Sequence, residues 1–251
     1  MMKTMITAHS GCEGTLMDSM ESVDRAIELG VEAIEMDIRR SETGLLYVSH
    51  DRRYGDAVLE NITVESVFQR IQDTELKFNC DIKEPMAIPA VLELGRKYGF
   101  GPDRLILTGA VSPDMLSTEP DIVKVAAVYQ NLEEMLKFLY LQSFGPERFG
   151  ESFSALMGKP DPFADQIRLD EPTVTAIIGM MKVTGVRGIN LSYKRLDAAL
   201  VDRFHSEGLE VSVFTVNDEE NLDRILSYGV ENITTKTVAS AVARRALALK
   251  N

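Results

Sequence analysis

Apolar and polar positions alternate along the chain in short extended runs, separated by longer stretches with helical spacing. The clearest extended run is Ala33-Ile34-Glu35-Met36-Asp37-Ile38: Ile34, Met36 and Ile38 take one face of a strand, and Glu35 and Asp37 the other. Further strands are predicted at Lys3–His9, Lys77–Lys83, Arg104–Gly109, Ile122–Tyr129, Gly188–Ser192, Glu210–Val216 and Glu231–Thr234. A turn at Glu42-Thr43-Gly44 leads into a short apolar run, Leu45–Val48. The first helix is announced by Asp18-Ser19-Met20-Glu21, a capping-box pattern with Asp18 as N-cap and Glu21 three positions on. Met20, Val23 and Ile27 line one face of it and Gly30 ends it. Helical spacing recurs at Val64–Ile71, Pro89–Tyr98, Leu132–Phe144, Thr173–Val183, Leu196–Ser206, Glu219–Tyr228 and Val238–Leu249. Residues 145–171, dense in Gly, Pro and Phe, read as an irregular surface excursion.

Eight strands alternating with helices over 251 residues predict one α/β domain spanning residues 1–251, a closed parallel TIM (β/α)8 barrel. The alternative is an open doubly wound sheet, but no Gly-rich dinucleotide fingerprint follows the first strand. With 45% hydrophobic residues the chain can bury a sizeable core. A net charge of −12 argues against nucleic acid or an anionic membrane surface as the main partner. A phosphate-bearing small molecule stays open, because a bound cation inverts the local sign. No apolar run approaches the length of a membrane span, so no stable membrane insertion is expected. The first seven residues are too short and polar for a signal peptide, so a cytoplasmic location is expected. Cys12 and Cys80 make neither a disulfide framework nor a zinc spacing and read as reduced, structural thiols.

Titratable residues fall at strand ends, where the active sites of such barrels lie. His9 closes the first strand, Glu35 and Asp37 the second, His50 the short run after it, and Asp81 and Lys83 the third. Two carboxylates on one face of an otherwise apolar strand repel each other and are costly to bury; a divalent cation is the simplest thing that offsets them. His205, on a surface helix, reads as structural.

These residues carry a resemblance. His9-Ser10-Gly11, Glu35-Met36-Asp37 and His50-Asp51 resemble the His-Arg, Glu-x-Asp, His-Asp signature of the glycerophosphodiester phosphodiesterase family. Asn79-Cys80-Asp81-Ile82-Lys83 resembles its Asn-x-Glu-x-Lys strand, Gly208 through Val213-Phe214-Thr215-Val216-Asn217 its Gly-Leu-x-Val-x-x-Trp-Thr-Val-Asn segment, and Gly229 to Ile233 its closing Gly-Val-Asp-Gly-Ile. The match spans most of the chain and is weakest between about 112 and 187. The resemblance implies a PLC-like phosphodiesterase barrel that hydrolyses glycerophosphodiesters to an alcohol and glycerol 3-phosphate. It implies a divalent cation, Mg²⁺ or Ca²⁺, on Glu35, Asp37 and Asp81, with His9 and His50 as acid/base pair and Lys83 on the phosphate.

The departures bear on the substrate. Ser10 stands where the family has a phosphate-clamping arginine, Phe214 replaces a tryptophan expected at the alcohol subsite, and Asp81 replaces a glutamate, as in the sphingomyelinase D enzymes of spider-venom type. Thr235-Lys236 stands where the family has Thr-Asp, which makes Lys236 a candidate to replace the lost arginine near the phosphate. Ser10, Lys83, Phe214 and Lys236 are thus the candidate substrate contacts. Two alternatives remain beside hydrolysis: a phospholipase D-like or lyase variant acting on lysophospholipid or another phosphodiester, and a binding protein that lost turnover with the arginine.

Overall fold

The structure, a computed structural model, describes residues 4–139, 141–142 and 169–249. Most of the predicted 145–171 excursion, and the end of the predicted Leu132–Phe144 helix, lie outside the described residues. Eight parallel strands close on themselves: β1 (Met5–His9), β2 (Ala33–Arg40), β4 (Lys77–Ile82), β5 (Leu105–Gly109), β6 (Ala127–Asn131), β7 (Gly188–Ser192), β8 (Glu210–Phe214) and β9 (Asn232–Thr235). Because β1 pairs with both β2 and β9, no open edge is left and the doubly wound alternative falls away. The ninth strand, β3 (Leu46–Val48), is the predicted short run and lies antiparallel on the end of β2.

Outward faces of the strands are apolar and meet the helices. Ile34, Met36 and Ile38 of β2 and Phe78 and Cys80 of β4 are fully buried in this layer. Phe68 of the helix Val64–Ile71 packs edge-on against Phe78, with ring centroids 5.1 Å apart. Within the barrel, Ile106, Ala127 and Tyr129 form a small apolar plug at the end away from the site, with Met5 against them. Above the plug the interior is polar. Thr7 Oγ1 donates to Asn232 Oδ1 at 2.7 Å, Asn232 Nδ2 to Ser212 Oγ at 2.9 Å, Ser212 Oγ to Asn190 Oδ1 at 2.9 Å, and Asn190 Nδ2 to Asn131 Oδ1 at 2.9 Å. Such a belt satisfies each buried dipole across neighbouring strands.

Two local expectations are corrected. The N-cap of the first helix (Met20–Leu29) is Ser19, whose side chain accepts from the Ser22 amide, and not Asp18. Asp18 takes a positive φ of 55° instead and turns its carboxylate elsewhere. The predicted strand Ile122–Tyr129 begins as one helical turn, Ile122–Val125, and becomes strand only at Ala127. Short Val-rich runs suit either state locally, and here the Ala126 amide closes a turn on the Ile122 carbonyl at 3.0 Å.

Gly109 fixes how β5 leaves the barrel beside the acids. Its φ is +78°, and a Cβ there would meet the Ile82 backbone, with Ile82 N and Asp81 Oδ1 both 2.8 Å away. Gly109→Ala therefore lowers stability by roughly 1–3 kcal/mol through backbone strain and overpacking, read as a lower urea midpoint. An unchanged midpoint would show that the strand end is loose.

Candidate active site

Parallel pairing sets the site side by side. Residues opposite one another on adjacent strands face the same way, and the register aligns His9 with Glu35, Glu35 with Asn79, Asp37 with Asp81, and Asp81 with Thr108. His9, Asp81 and Thr108 lie at or next to the C-terminal ends of their strands, whereas β2 runs on to Arg40, so Glu35 and Asp37 lie within it and not at its end as expected, Glu35 level with the end of β1. They line a cavity of about 330 Å³ together with His50, Lys83, Asn131, Asn190, Phe214, Thr215 and Thr234.

At its centre, one carboxylate oxygen from each of Glu35, Asp37 and Asp81 lies within 4.8 Å of the other two. Lys83, one residue past β4, places Nζ 2.6 Å from Asp37 Oδ1 and hydrogen-bonds Asp81. One ammonium therefore faces three acids. Burial raises the pKa of Glu35 well above the usual carboxylate value, and the charges of Asp37 and Asp81 add to it. Burial likewise raises Asp81, opposed by Lys83 and by a hydrogen bond from Thr108. Burial alone would lower the Lys83 pKa, but Asp81 and Asp37 more than reverse this and hold the ammonium above its ordinary value. Glu35 Oε2 is buried without a hydrogen-bond partner. That orphaned oxygen, in an all-carboxylate set, fits a hard divalent cation.

The histidines differ. His9 Nδ1 lies 2.9 Å from the Ser10 carbonyl, which can only accept, so this nitrogen carries the proton and Nε2 presents a lone pair 3.7 Å from Glu35 Oε2. Burial lowers the His9 pKa, and the charge of Lys236 lowers it further, while Asp37 and Asp81 pull the other way. The His50 side chain is 66% exposed, and its Nδ1 lies 3.0 Å from Asp51 Oδ1. His205 bonds Glu231 Oε2 at 3.1 Å, away from this cavity, in keeping with a structural role.

Two expected substrate contacts are not part of the cavity lining. Ser10 is fully buried and absent from the cavity lining; its hydroxyl engages Asp18, accepting from the Asp18 amide at 2.6 Å and donating to Asp18 Oδ1 at 3.1 Å. Lys236 does not line the cavity either, and its Nζ reaches the Met17 thioether at 3.5 Å. Phe214 does line it. Sequence reasoning missed the neutral lining residues Thr108, Asn131, Asn190, Thr215 and Thr234. The available signal was the alternation of Asn190, Ser212, Asn232 and Thr234 with apolar neighbours on their strands. Cys12 and Cys80 are buried free thiols, as expected. Among the described residues no helix is long and apolar enough to cross a membrane.

Comparison with known proteins agrees with this geometry. The chain is 25% identical over 245 residues to a glycerophosphodiester phosphodiesterase of Caldanaerobacter subterraneus subsp. tengcongensis, covering 93% of this chain and 94% of that protein. It is 23% identical over 238 residues to the glycerophosphodiester phosphodiesterase GDPD4 of Arabidopsis thaliana, covering 92% and 70%. The fold matches that of an Oleispira antarctica phosphodiesterase solved with its product sn-glycerol-3-phosphate, with a TM-score of 0.66, 14% identity, and 98% and 97% of the two chains covered. The family model for glycerophosphoryl diester phosphodiesterases matches residues 9–77 and 164–240, and the chain belongs to that family.

Proposed function

We propose that this protein hydrolyses glycerophosphodiesters to an alcohol and glycerol 3-phosphate, using Mg²⁺ or Ca²⁺ held by Glu35, Asp37 and Asp81. The observation that carries this reading is the meeting of three carboxylates within 4.8 Å in a cavity that two histidines also line. The bound cation would supply Lewis-acid stabilisation of charge growing on the phosphoryl oxygens. Lys83 uses two of its three N–H groups on Asp37 and Asp81, which leaves one for a phosphoryl oxygen and keeps the ammonium in place. His9, with Nδ1–H committed to a carbonyl, offers Nε2 as the base toward the attacking oxygen. That oxygen is that of water, or that of the substrate's own glycerol hydroxyl, in which case a cyclic phosphate forms first and water then opens it. His50, paired through Nδ1 with the Asp51 carboxylate, offers its other ring N–H as the acid for the departing alkoxide. Phe214 gives the substrate carbon skeleton an apolar wall. Lys236 adds positive charge close enough to act on His9.

Glycerophosphocholine and glycerophosphoethanolamine, with Mg²⁺ or Ca²⁺, should yield glycerol 3-phosphate; a cyclic phosphate as end product would replace hydrolysis with a lyase reaction. His9→Ala and His50→Ala should each lower kcat by roughly 10²–10⁴-fold. Lys236→Ala should raise KM several-fold with kcat little changed, and an unchanged KM would remove that lysine from phosphate recognition.

The cation can be tested without turnover. Glu35 has a raised folded-state pKa, so its contribution to the stability of the cation-free protein is intact below the unfolded value near 4.5 and is lost as pH rises through the folded value. With chelator at about pH 8, Glu35→Gln should therefore melt above the wild type, and the gap should close as pH falls toward the ordinary Glu value. Added Mg²⁺ or Ca²⁺ should raise the wild-type Tm and leave Glu35→Gln nearly unmoved. A wild-type Tm indifferent to both cations would sink the metal site.

A further inference from the structure

His50 lines the cavity from an exposed loop, and its ring has one hydrogen-bond partner among the described residues, Asp51, on the same exposed loop. Its peptide, by contrast, is held at both ends. The His50 amide donates to Asp18 Oδ2 at 2.9 Å. The His50 carbonyl accepts from Arg39 Nε at 3.1 Å and Arg39 Nη2 at 2.7 Å. Each holder is itself fixed. Asp18 makes the reciprocal pair of bonds with Ser10 described above, and Ser10 donates its own amide to the Glu35 carbonyl at 3.1 Å. Arg39 turns its remaining Nη1 onto Glu84 Oε1 at 2.5 Å, and Glu84 Oε2 accepts from the Arg40 amide at 3.3 Å.

We propose that Ser10–Asp18 on one side and Arg39–Glu84 on the other form a clamp that positions His50 over the carboxylates, the proposal resting on the acid/base reading of His50 given above. Both arms root in strands that carry the site. Ser10 follows His9 directly, and Arg39 shares the inward face of β2 with Glu35 and Asp37. The carboxylate positions are thereby passed to a residue 32 positions beyond Asp18. Two features show that Asp18 is kept for this purpose and not for its helix. The helix is capped by Ser19, so the Asp18 carboxylate is not used there. Asp18 also holds a left-handed backbone, a conformation that costs energy in a non-glycine residue and persists where contacts impose it. On this assignment Ser10 is no diminished phosphate clamp but a positioning residue, buried so that it meets Asp18 with both donor and acceptor.

The test compares Asp18→Gly, Asp18→Asn, Ser10→Ala, His50→Ala and the double variant of Asp18→Gly with His50→Ala, using glycerophosphocholine and Mg²⁺. Glycine accepts the left-handed backbone and removes only the carboxylate; asparagine tolerates that backbone and keeps an acceptor oxygen. Asp18→Gly should lower kcat roughly ten- to a hundredfold with KM nearly constant, as misplacing a catalytic group does. Ser10→Ala should move in the same direction by less, Asp18→Asn should restore most of the rate, and in the His50→Ala background Asp18→Gly should cost nothing further. Hydrogen exchange at the His50 amide should speed up in Asp18→Gly. Wild-type kcat in Asp18→Gly and Ser10→Ala beside an inactive His50→Ala, or additive losses in the double variant, would overturn the clamp and leave the function standing. An active His50→Ala would remove the acid/base reading and the clamp with it. An inactive wild type would count against the proposed function, and unchanged exchange at the His50 amide would then overturn the clamp by itself.

Discussion

Three carboxylates meet at the mouth of the barrel against one ammonium, and apolar packing on the opposite face of the same strands forces them to. Ile34, Met36 and Ile38 are wholly buried beneath the helices. A slip of β2 by one residue would turn that apolar set into the barrel and bury the acids under the helices, so the strand cannot turn Glu35 and Asp37 away from the barrel interior. Register with β4 then delivers Asp81 beside Asp37. Burial first, and the neighbouring carboxylates after it, raise the pKa of Glu35 and of Asp81. Lys83 answers part of this. The orphaned oxygen of Glu35 is the part left over, and it is what makes a cation fit.

Charge is distributed unevenly around the barrel. The acids and Lys83 belong to β2, β4 and the residue after β4, whereas β6 to β9 contribute the neutral, mutually hydrogen-bonded Asn131, Asn190, Ser212 and Asn232. An electrostatic pole thus sits beside a belt of dipoles whose orientations are already fixed. Fixed dipoles need little reorganisation when charge moves in a neighbouring group, which suits a site where phosphoryl oxygens gain charge. The apolar plug of Ile106, Ala127 and Tyr129 closes the interior beneath the belt.

The two histidines of the site are held in opposite ways. His9 ends a strand, is largely enclosed, and has its tautomer set by a backbone carbonyl through its own ring. His50 has an exposed ring, and its hold comes through its peptide, from Asp18 and Arg39. A strand end supplies position without further help; a loop needs outside contacts to do the same.

Local pattern in the sequence was enough for the strand count and the facing of Glu35, Asp37, Asp81 and Lys83, because side-chain alternation is a property of a few consecutive residues; closure over an open sheet was decided by the pairing of β1 with both β2 and β9. The resemblance carried by His9, Glu35-Met36-Asp37 and His50-Asp51 added the chemistry. Where meaning depended on a distant partner, sequence reading failed. Asp18 looked like a helix cap because Ser10 and His50, its actual partners, do not belong to that helix. Ser10 looked like a weakened phosphate contact because its burial cannot be read from its neighbours. Asn131, Asn190 and Asn232 are ordinary polar residues until closure aligns them, as when Thr7 meets Asn232 across 225 positions of chain. Local spacing determined which face each residue takes; only the closed barrel decided which residues then stand within a hydrogen bond of one another, since that distance is set by strand register and not by separation along the chain.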